Sequence, residues 1–115
     1  MKNAHDSDLL NSVVEALENI KATEIQVIDV RDKTDLMDTL VIASGTSTRH
    51  IAAVVTTVAE SLKKQGYVSH HQEGQAGSDW VLLDFTDLVL HVMLPEARKA
   101  YDLEALWSGL TPDSV

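Results

Sequence analysis

A run of small polar residues from Ser44 to Thr48, followed by Arg49, has the composition of an anion-binding turn. The run lies between a short apolar stretch and a predicted helix, and free amides at a helix N-terminus attract phosphate groups. It is not a Walker motif, because the second glycine and the lysine of that motif are missing at the required spacing. The sequence therefore offers Ser44, Gly45 and Arg49 as candidate anion-binding residues, with helix capping as the simpler interpretation.

The same turn resembles the start of the nucleotidyltransferase fold, in which a Gly-Ser pair holds a triphosphate. A metal-dependent transferase also needs paired carboxylates on the adjacent strand, close behind the glycine turn, to hold magnesium. The next candidate pair, Asp84 and Asp87, lies far downstream, and Asp87 is predicted to lie in a turn. We therefore expect no enzyme activity. A nucleotide-binding or nucleotidyltransferase-like domain that uses residues 44–49 is the alternative function.

Metal binding and covalent catalysis have weaker support in the sequence. There is no cysteine, and the five histidines include no pair at the helical spacing of metal ligands. The adjacent His70 and His71 would point to opposite faces of a strand. Ser44 and Ser47 lie near His50, but turn formation and helix capping explain this density of hydroxyl groups. We expect no metal, no cofactor and no catalytic residues.

The length of 115 residues fits one domain, with a core over about 7–108 and a C-terminal tail over 109–115. The absence of cysteine suits a reducing compartment. The N-terminal residues lack the apolar run of a signal peptide, and no apolar segment is long enough to span a bilayer. We expect a soluble cytoplasmic protein that makes no membrane contact.

Acidic residues outnumber basic ones by 18 to 9, which gives a formal net charge of −9 at pH 7. Affinity for nucleic acid comes largely from lysine and arginine that neutralise phosphates, so little direct binding of bare RNA or DNA is expected. An acidic surface instead favours rapid encounter with a basic partner, at rates that fall with salt. Solubility alone is the simpler interpretation of the charge.

Hydrophobic periodicity predicts the element order α-β-β-α-β-β-β-α. The predicted elements are a helix over 7–22, strands over 24–31 and 39–43, a helix over 49–65, a strand over 67–71, a hairpin over 79–94 and a helix that starts at Pro95 and ends by Gly109. The first two strands are expected to pair as a hairpin. This irregular order is typical of an α/β (α+β) domain with one mixed sheet of four or five strands and helices packed on it.

The closing hairpin has two different faces. If Thr86 and Asp87 form a two-residue turn, one face is wholly apolar and belongs to the core. The opposite face pairs Trp80 with Met93, Leu82 with His91, and Asp84 with Val89. Aromatic residues and methionine are favoured in protein interfaces, but a second core layer covered by helices has the same pattern. The patch of Trp80, Leu82, His91 and Met93, with Tyr101 and Trp107 nearby, is thus a candidate binding surface.

Several blocks of the sequence carry a family resemblance. They are DLMDTLVIASGTSTRH at 35–50, EG at 73–74, DWVLLD at 79–84, DLVLHVM at 87–93 and YDLEALW at 101–107. In order and spacing, from about Leu9 to Trp107, they resemble the Iojap family of ribosomal silencing factors, RsfS. The chain departs from the family pattern at three positions. The family often has an aromatic residue where this chain has Thr39 and Ala100, and a glycine where it has Thr86.

The resemblance implies a nucleotidyltransferase-like α/β fold without catalytic carboxylates. It implies binding to protein fourteen of the large ribosomal subunit, which blocks joining of the small subunit and represses translation in starved or stationary cells. Dimers are also implied. The positions carried over as contacts are Trp80, Asp84, Asp87, His91, Tyr101, Leu103, Glu104 and Trp107. The hairpin pattern adds Leu82, and an acidic binder would be steered to such a basic partner and repelled by bare rRNA.

Overall fold

In a computed structural model, the backbone is described for residues 2–75 and 77–109, and the side chains for residues 8–75 and 77–107. The helices are α1 (Lys2–Asn19), α2 (Thr48–Lys64), α3 (Pro95–Tyr101) and α4 (Leu103–Gly109). The strands are β1 (Thr23–Asp29), β2 (Thr39–Ser44), β3 (His71–Glu73), β4 (Trp80–Asp84) and β5 (Leu88–Met93). The C-terminal tail is predicted over 109–115; Gly109 belongs to α4, and residues 110–115 lie outside the described residues.

The five strands form one mixed sheet in the order β1-β2-β5-β4-β3. β2 and β5 are parallel at its centre, and the other neighbours are antiparallel. The single mixed sheet is confirmed, as is the antiparallel pairing of the first two strands. None of the helices in the described part of the chain is long and apolar enough to cross a membrane.

The register predicted for the closing hairpin is confirmed. Trp80 lies opposite Met93, Leu82 opposite His91 and Asp84 opposite Val89. The N–H of Phe85 donates to the carbonyl of Leu88 at 2.8 Å, which closes a two-residue turn. Thr86 takes a positive φ of 77° in this turn, where the family often has glycine. The N–H of Thr86 donates to the Asp84 carboxylate at 2.7 Å, which supports the turn.

The main core lies between one face of the sheet and helices α1 and α2. The helical residues are Leu9, Val13, Leu17, Ile51, Val54, Val55, Val58 and Leu62, and the strand residues include Val41, Val81, Leu83, Leu90 and Val92. The spacing of the α2 residues produces the predicted apolar stripe. Ser47 caps α2, because its hydroxyl accepts the N–H of His50 at 3.0 Å. Gly66, with φ +95°, follows the C-terminus as expected.

Several predicted boundaries are wrong. The first strand, predicted over 24–31, ends at Asp29. α1 begins at Lys2 rather than at residue 7, and ends at Asn19 because Lys21 has a φ of 63°. The strand predicted over 67–71 lies instead at His71–Glu73. The N–H of Tyr67 donates to the carbonyl of Leu62, so this part of the chain closes the end of α2. The chain therefore joins the sheet as β3 only at His71.

The single C-terminal helix predicted from Pro95 is also wrong, because two short helices meet at Asp102. Asp102 takes the left-handed conformation, with φ 51°. Its N–H donates to the carbonyl of Arg98, and its carboxylate accepts the N–H of Ala105 at 3.3 Å. Aspartate tolerates this conformation and caps helices well, so one residue ends α3 and starts α4.

Candidate functional site

The second face of the sheet is partly covered by α3 and α4. Its smaller buried cluster consists of Ile28, Val30, Leu40, Ile42, Met93 and Ala97. Leu103 and Trp107 of α4 pack against this cluster and are half-buried, as is Trp80 of β4. The face is thus a second core layer near β1 and β2. Leu82 and Asp84 on β4 remain half-buried.

Trp80 and Tyr101 form an aromatic pair at the border of the covered area. Trp80 opens β4, and its cross-strand partner Met93 is followed by Pro95, which starts α3. α3 brings Tyr101 back over Trp80, with 4.5 Å between ring centroids and an interplanar angle of 47°. Tyr101 is 58% exposed. The pair gives a large apolar contact surface at low conformational cost.

His91 lies beneath this pair in the middle of β5. Its residue surface is only 8% exposed. The indole Nε1–H of Trp80 donates to His91 Nδ1 at 2.9 Å, with 5.8 Å between ring centroids. Burial lowers the pKa of His91 to about 4, so the ring is neutral at pH 7. His91 therefore supports Trp80 from below, and Trp80, Leu82 and Tyr101 are the apolar groups within reach of a partner.

A groove of about 460 Å³ lies beside Trp80, lined by Glu73, Ser78, Asp79, Trp80 and Leu82. Glu73 and Asp79 are exposed carboxylates on the rim of an apolar floor. Glu73 also contacts His71. These two carboxylates were not predicted as site residues from the sequence. The available signal was that Asp79 directly precedes Trp80, whereas the position of Glu73 depends on where β3 joins the sheet.

The predicted acidic contacts have different environments. Asp84 is half-buried and supports the hairpin turn, and Asp87 is exposed. Glu104 is held by Arg98, whose Nε and Nη2 donate to Glu104 Oε2 at 3.1 and 2.7 Å. Half-buried Asp84 and exposed Asp87 lie at the turn end of the hairpin, at the other end of β4 from Trp80, while the charge of Glu104 is compensated by Arg98.

Arg98 was not anticipated from the sequence. It is buried on α3, and its Nη1 donates to the hydroxyl of Ser44 at 2.9 Å. Ser44, one of the candidate anion ligands, is fully buried at the end of β2. The Arg98 side chain on α3 therefore connects Ser44 of the sheet with Glu104 of α4.

The rest of the candidate anion turn is also engaged within the chain. The N–H of Gly45 donates to the carbonyl of Met93 at 3.0 Å, and the N–H of Thr46 donates to His50 Nδ1 at 2.9 Å. A Cβ at position 45 would lie 2.7 Å from Cγ1 of Ile51, so glycine allows the close approach of α2. Arg49 is exposed. This geometry favours packing and capping over anion binding.

A metal centre has no support in the described side chains. They include no group of three or more histidine, aspartate or glutamate residues placed to hold an ion. His71 instead contacts Glu73 at the edge of the sheet.

Comparisons with known proteins agree with this fold. A family described as "Ribosomal silencing factor during starvation", RsfS, matches residues 3–114. Ribosomal silencing factor RsfS of Chromobacterium violaceum is 41% identical over 99 residues, which cover 86% of this chain and 81% of that protein. "Mitochondrial assembly of ribosomal large subunit protein 1" of Mus musculus is 38% identical over 104 residues, which cover 86% of this chain and 45% of that protein.

A solved structure extends the likeness to three dimensions. The crystal structure of a protein from Chromobacterium violaceum superimposes with a TM-score of 0.86 at 38% identity, covering 93% of this chain and 89% of that one. The family match spans nearly the whole sequence, and the structural match includes most of the sheet and helices. The chain therefore belongs to the RsfS family of ribosomal silencing factors.

Proposed function

We propose that this protein binds protein fourteen of the large ribosomal subunit and thereby prevents the small subunit from joining. The observation that carries the proposal is the aromatic pair of Trp80 and Tyr101, left accessible at the border of the covered sheet face in a chain of net charge −9. Membership of a silencing-factor family and a mitochondrial relative named for large-subunit assembly support a ribosomal partner. The protein acts in the cytoplasm and has no catalytic step.

The docking surface is proposed to have an apolar centre and an acidic rim. Trp80, Leu82 and Tyr101 form the centre, because an interface is usually dominated by a few large side chains. Asp84 and Asp87 belong to the rim, which steers a basic protein into place. His91, Leu103 and Trp107 contribute by holding the centre in position, and Glu104 does so through Arg98.

Obstruction of subunit joining requires only a folded body fixed at the joining face. The principal extents of the molecule are 40 × 35 × 21 Å, and rigid packing on both faces of the sheet resists compression. A second subunit cannot close over a body of this size. The silencing is therefore proposed to be steric.

The test is a subunit-joining assay with purified components. The full chain should co-sediment with isolated large subunits, bind isolated protein fourteen, and reduce the formation of joined ribosomes. Binding to protein fourteen without inhibition of joining would contradict the steric mechanism. Failure to bind either the large subunit or protein fourteen would contradict the proposed partner.

We also propose that two copies of the chain associate when the partner is absent. Two large apolar side chains on the C-terminal helices, Tyr101 on α3 and Leu106 on α4, are 58% and 54% exposed. Light scattering over a dilution series should show a dimer, and Leu106→Glu should yield monomers. A wild-type chain that is monomeric at high concentration would contradict this proposal.

A further inference from the structure

His91 has hydrogen-bonding capacity that the described residues do not use. Its Nδ1 accepts the indole N–H of Trp80 at 2.9 Å. Because an indole nitrogen can only donate, Nδ1 carries no proton, and the proton of the neutral ring is on Nε2. No acceptor among the described residues bonds to this Nε2–H.

The neighbours of His91 on its face of the sheet are apolar. By register they are Leu82 on β4 and Ile42 on β2, and Val89 and Met93 lie two residues away on β5. None of these side chains has a good acceptor, and His91 is more than nine-tenths buried. Its low pKa keeps the ring neutral with one N–H. A buried donor without an acceptor is unfavourable, so this group favours a partner that brings one.

We propose that His91 specifies the docking surface through both ring nitrogens: Nδ1 fixes the orientation of Trp80, and Nε2–H donates to a backbone carbonyl of the bound protein. The inference rests on the proposed function. Every segment of a protein partner offers main-chain carbonyls, which accept from an N–H donor. Trp80 and Leu82 are the half-buried β4 side chains nearest to His91 by register, so a segment seated on them brings its carbonyls close to the ring.

The first test observes the ring nitrogens directly. The full chain is prepared with ¹⁵N-labelled histidine and tryptophan, and isolated unlabelled protein fourteen is added. In the free protein, Nδ1 of His91 should be unprotonated and Nε2 protonated. In the complex, the Nε2 resonance should shift and its proton should become protected from exchange with water.

The results of this experiment distinguish the donor role of His91 from the binding of protein fourteen. If the indole signal of Trp80 responds to protein fourteen while Nε2 of His91 does not, docking stands and the role of His91 as donor is refuted. If the two proteins show no binding at all, the proposed function fails and this inference falls with it. A free protein with the proton on Nδ1 would also overturn the proposal.

A double-mutant cycle separates the two roles of His91. Trp80→Phe removes the indole N–H but keeps an aromatic ring, and His91→Phe removes both nitrogens. If His91 acts only by orienting Trp80, His91→Phe has no further effect on Kd in the Trp80→Phe background. We expect a further weakening of roughly tenfold there, because the donor to the partner is lost. His70→Phe, at an exposed histidine, is the matched control and should leave Kd unchanged.

Discussion

Replacing Arg98 with methionine should loosen both C-terminal helices from the sheet. The Arg98 side chain is 9% exposed and makes hydrogen bonds to Ser44 on β2 and to Glu104 on α4. One side chain on α3 thus connects the two C-terminal helices with β2, which lies 54 positions earlier in the chain. Methionine is a long, flexible side chain that fills similar space but makes none of these hydrogen bonds.

The magnitude follows from the burial of the two partners. Ser44 is fully buried, so loss of its hydrogen-bond partner costs about 1–3 kcal/mol. The Glu104 side chain is 32% exposed, and water replaces part of its interaction, so that pairing adds at most about 1 kcal/mol. We expect Arg98→Met to lower the free energy of unfolding by about 1–4 kcal/mol in total.

Urea denaturation measures this change, and hydrogen exchange of the α4 amides locates it. Lys99→Met is the matched control, because Lys99 is the next residue on α3 and is exposed. Ser44→Ala should also destabilise the protein, and the double variant should be less destabilised than the sum of the two. If Arg98→Met and Lys99→Met agree within about 0.5 kcal/mol, the connection through Arg98 is unimportant and the reasoning is refuted.

Four further predictions concern binding, salt, pH and nucleotides. Trp80→Ala should weaken binding to the large subunit by about 2 kcal/mol or more, measured by co-sedimentation; Val68→Ala, at a position 56% exposed, is the control, and equal binding of the two variants would exclude Trp80 as an anchor. Added salt should slow association with protein fourteen more than it speeds dissociation, and a salt-independent on-rate would contradict electrostatic steering. The pKa of His91 falls from 6.5 to about 4 on folding, so the unfolded chain binds more protons than the folded chain between these pH values. The free energy of unfolding should therefore decrease as pH falls through this window, by up to about 3 kcal/mol. Urea titrations at several pH values measure this change, and His91→Phe should reduce it. Calorimetry with nucleoside triphosphates and magnesium should show no binding at the turn between Ser44 and Arg49, and a clear saturable heat would restore the nucleotide-binding alternative.

The parts of the fold that could be predicted from sequence are those fixed by local pattern. The hairpin register follows from strict alternation around a two-residue turn, so Trp80 and His91 could be placed on one face. The α2 stripe follows from helical spacing, and Ser47 as its cap follows from side-chain chemistry. In each case the deciding residues lie within a few positions of one another.

The parts that could not be predicted depend on contacts between distant residues. Arg98 and Ser44 are 54 positions apart, and nothing in either neighbourhood indicates that they meet. The break at Asp102 decides that Tyr101 faces outward while Trp107 packs inward, yet continued helix was equally compatible with the pattern. The sequence could therefore predict an aromatic patch. Which of its side chains are exposed depends on how α3 and α4 pack against the sheet.

The parallel pairing at the centre of the sheet has a consequence for folding. β1 with β2, and β4 with β5, can pair soon after they are synthesised, because each pair is close in sequence. β2 must wait for β5, since Thr39 pairs with Leu88, and closing so long a loop is slow. During synthesis the N-terminal half therefore exposes the edge of β2 until Met93 has left the ribosome, and a chain truncated before β5 should aggregate.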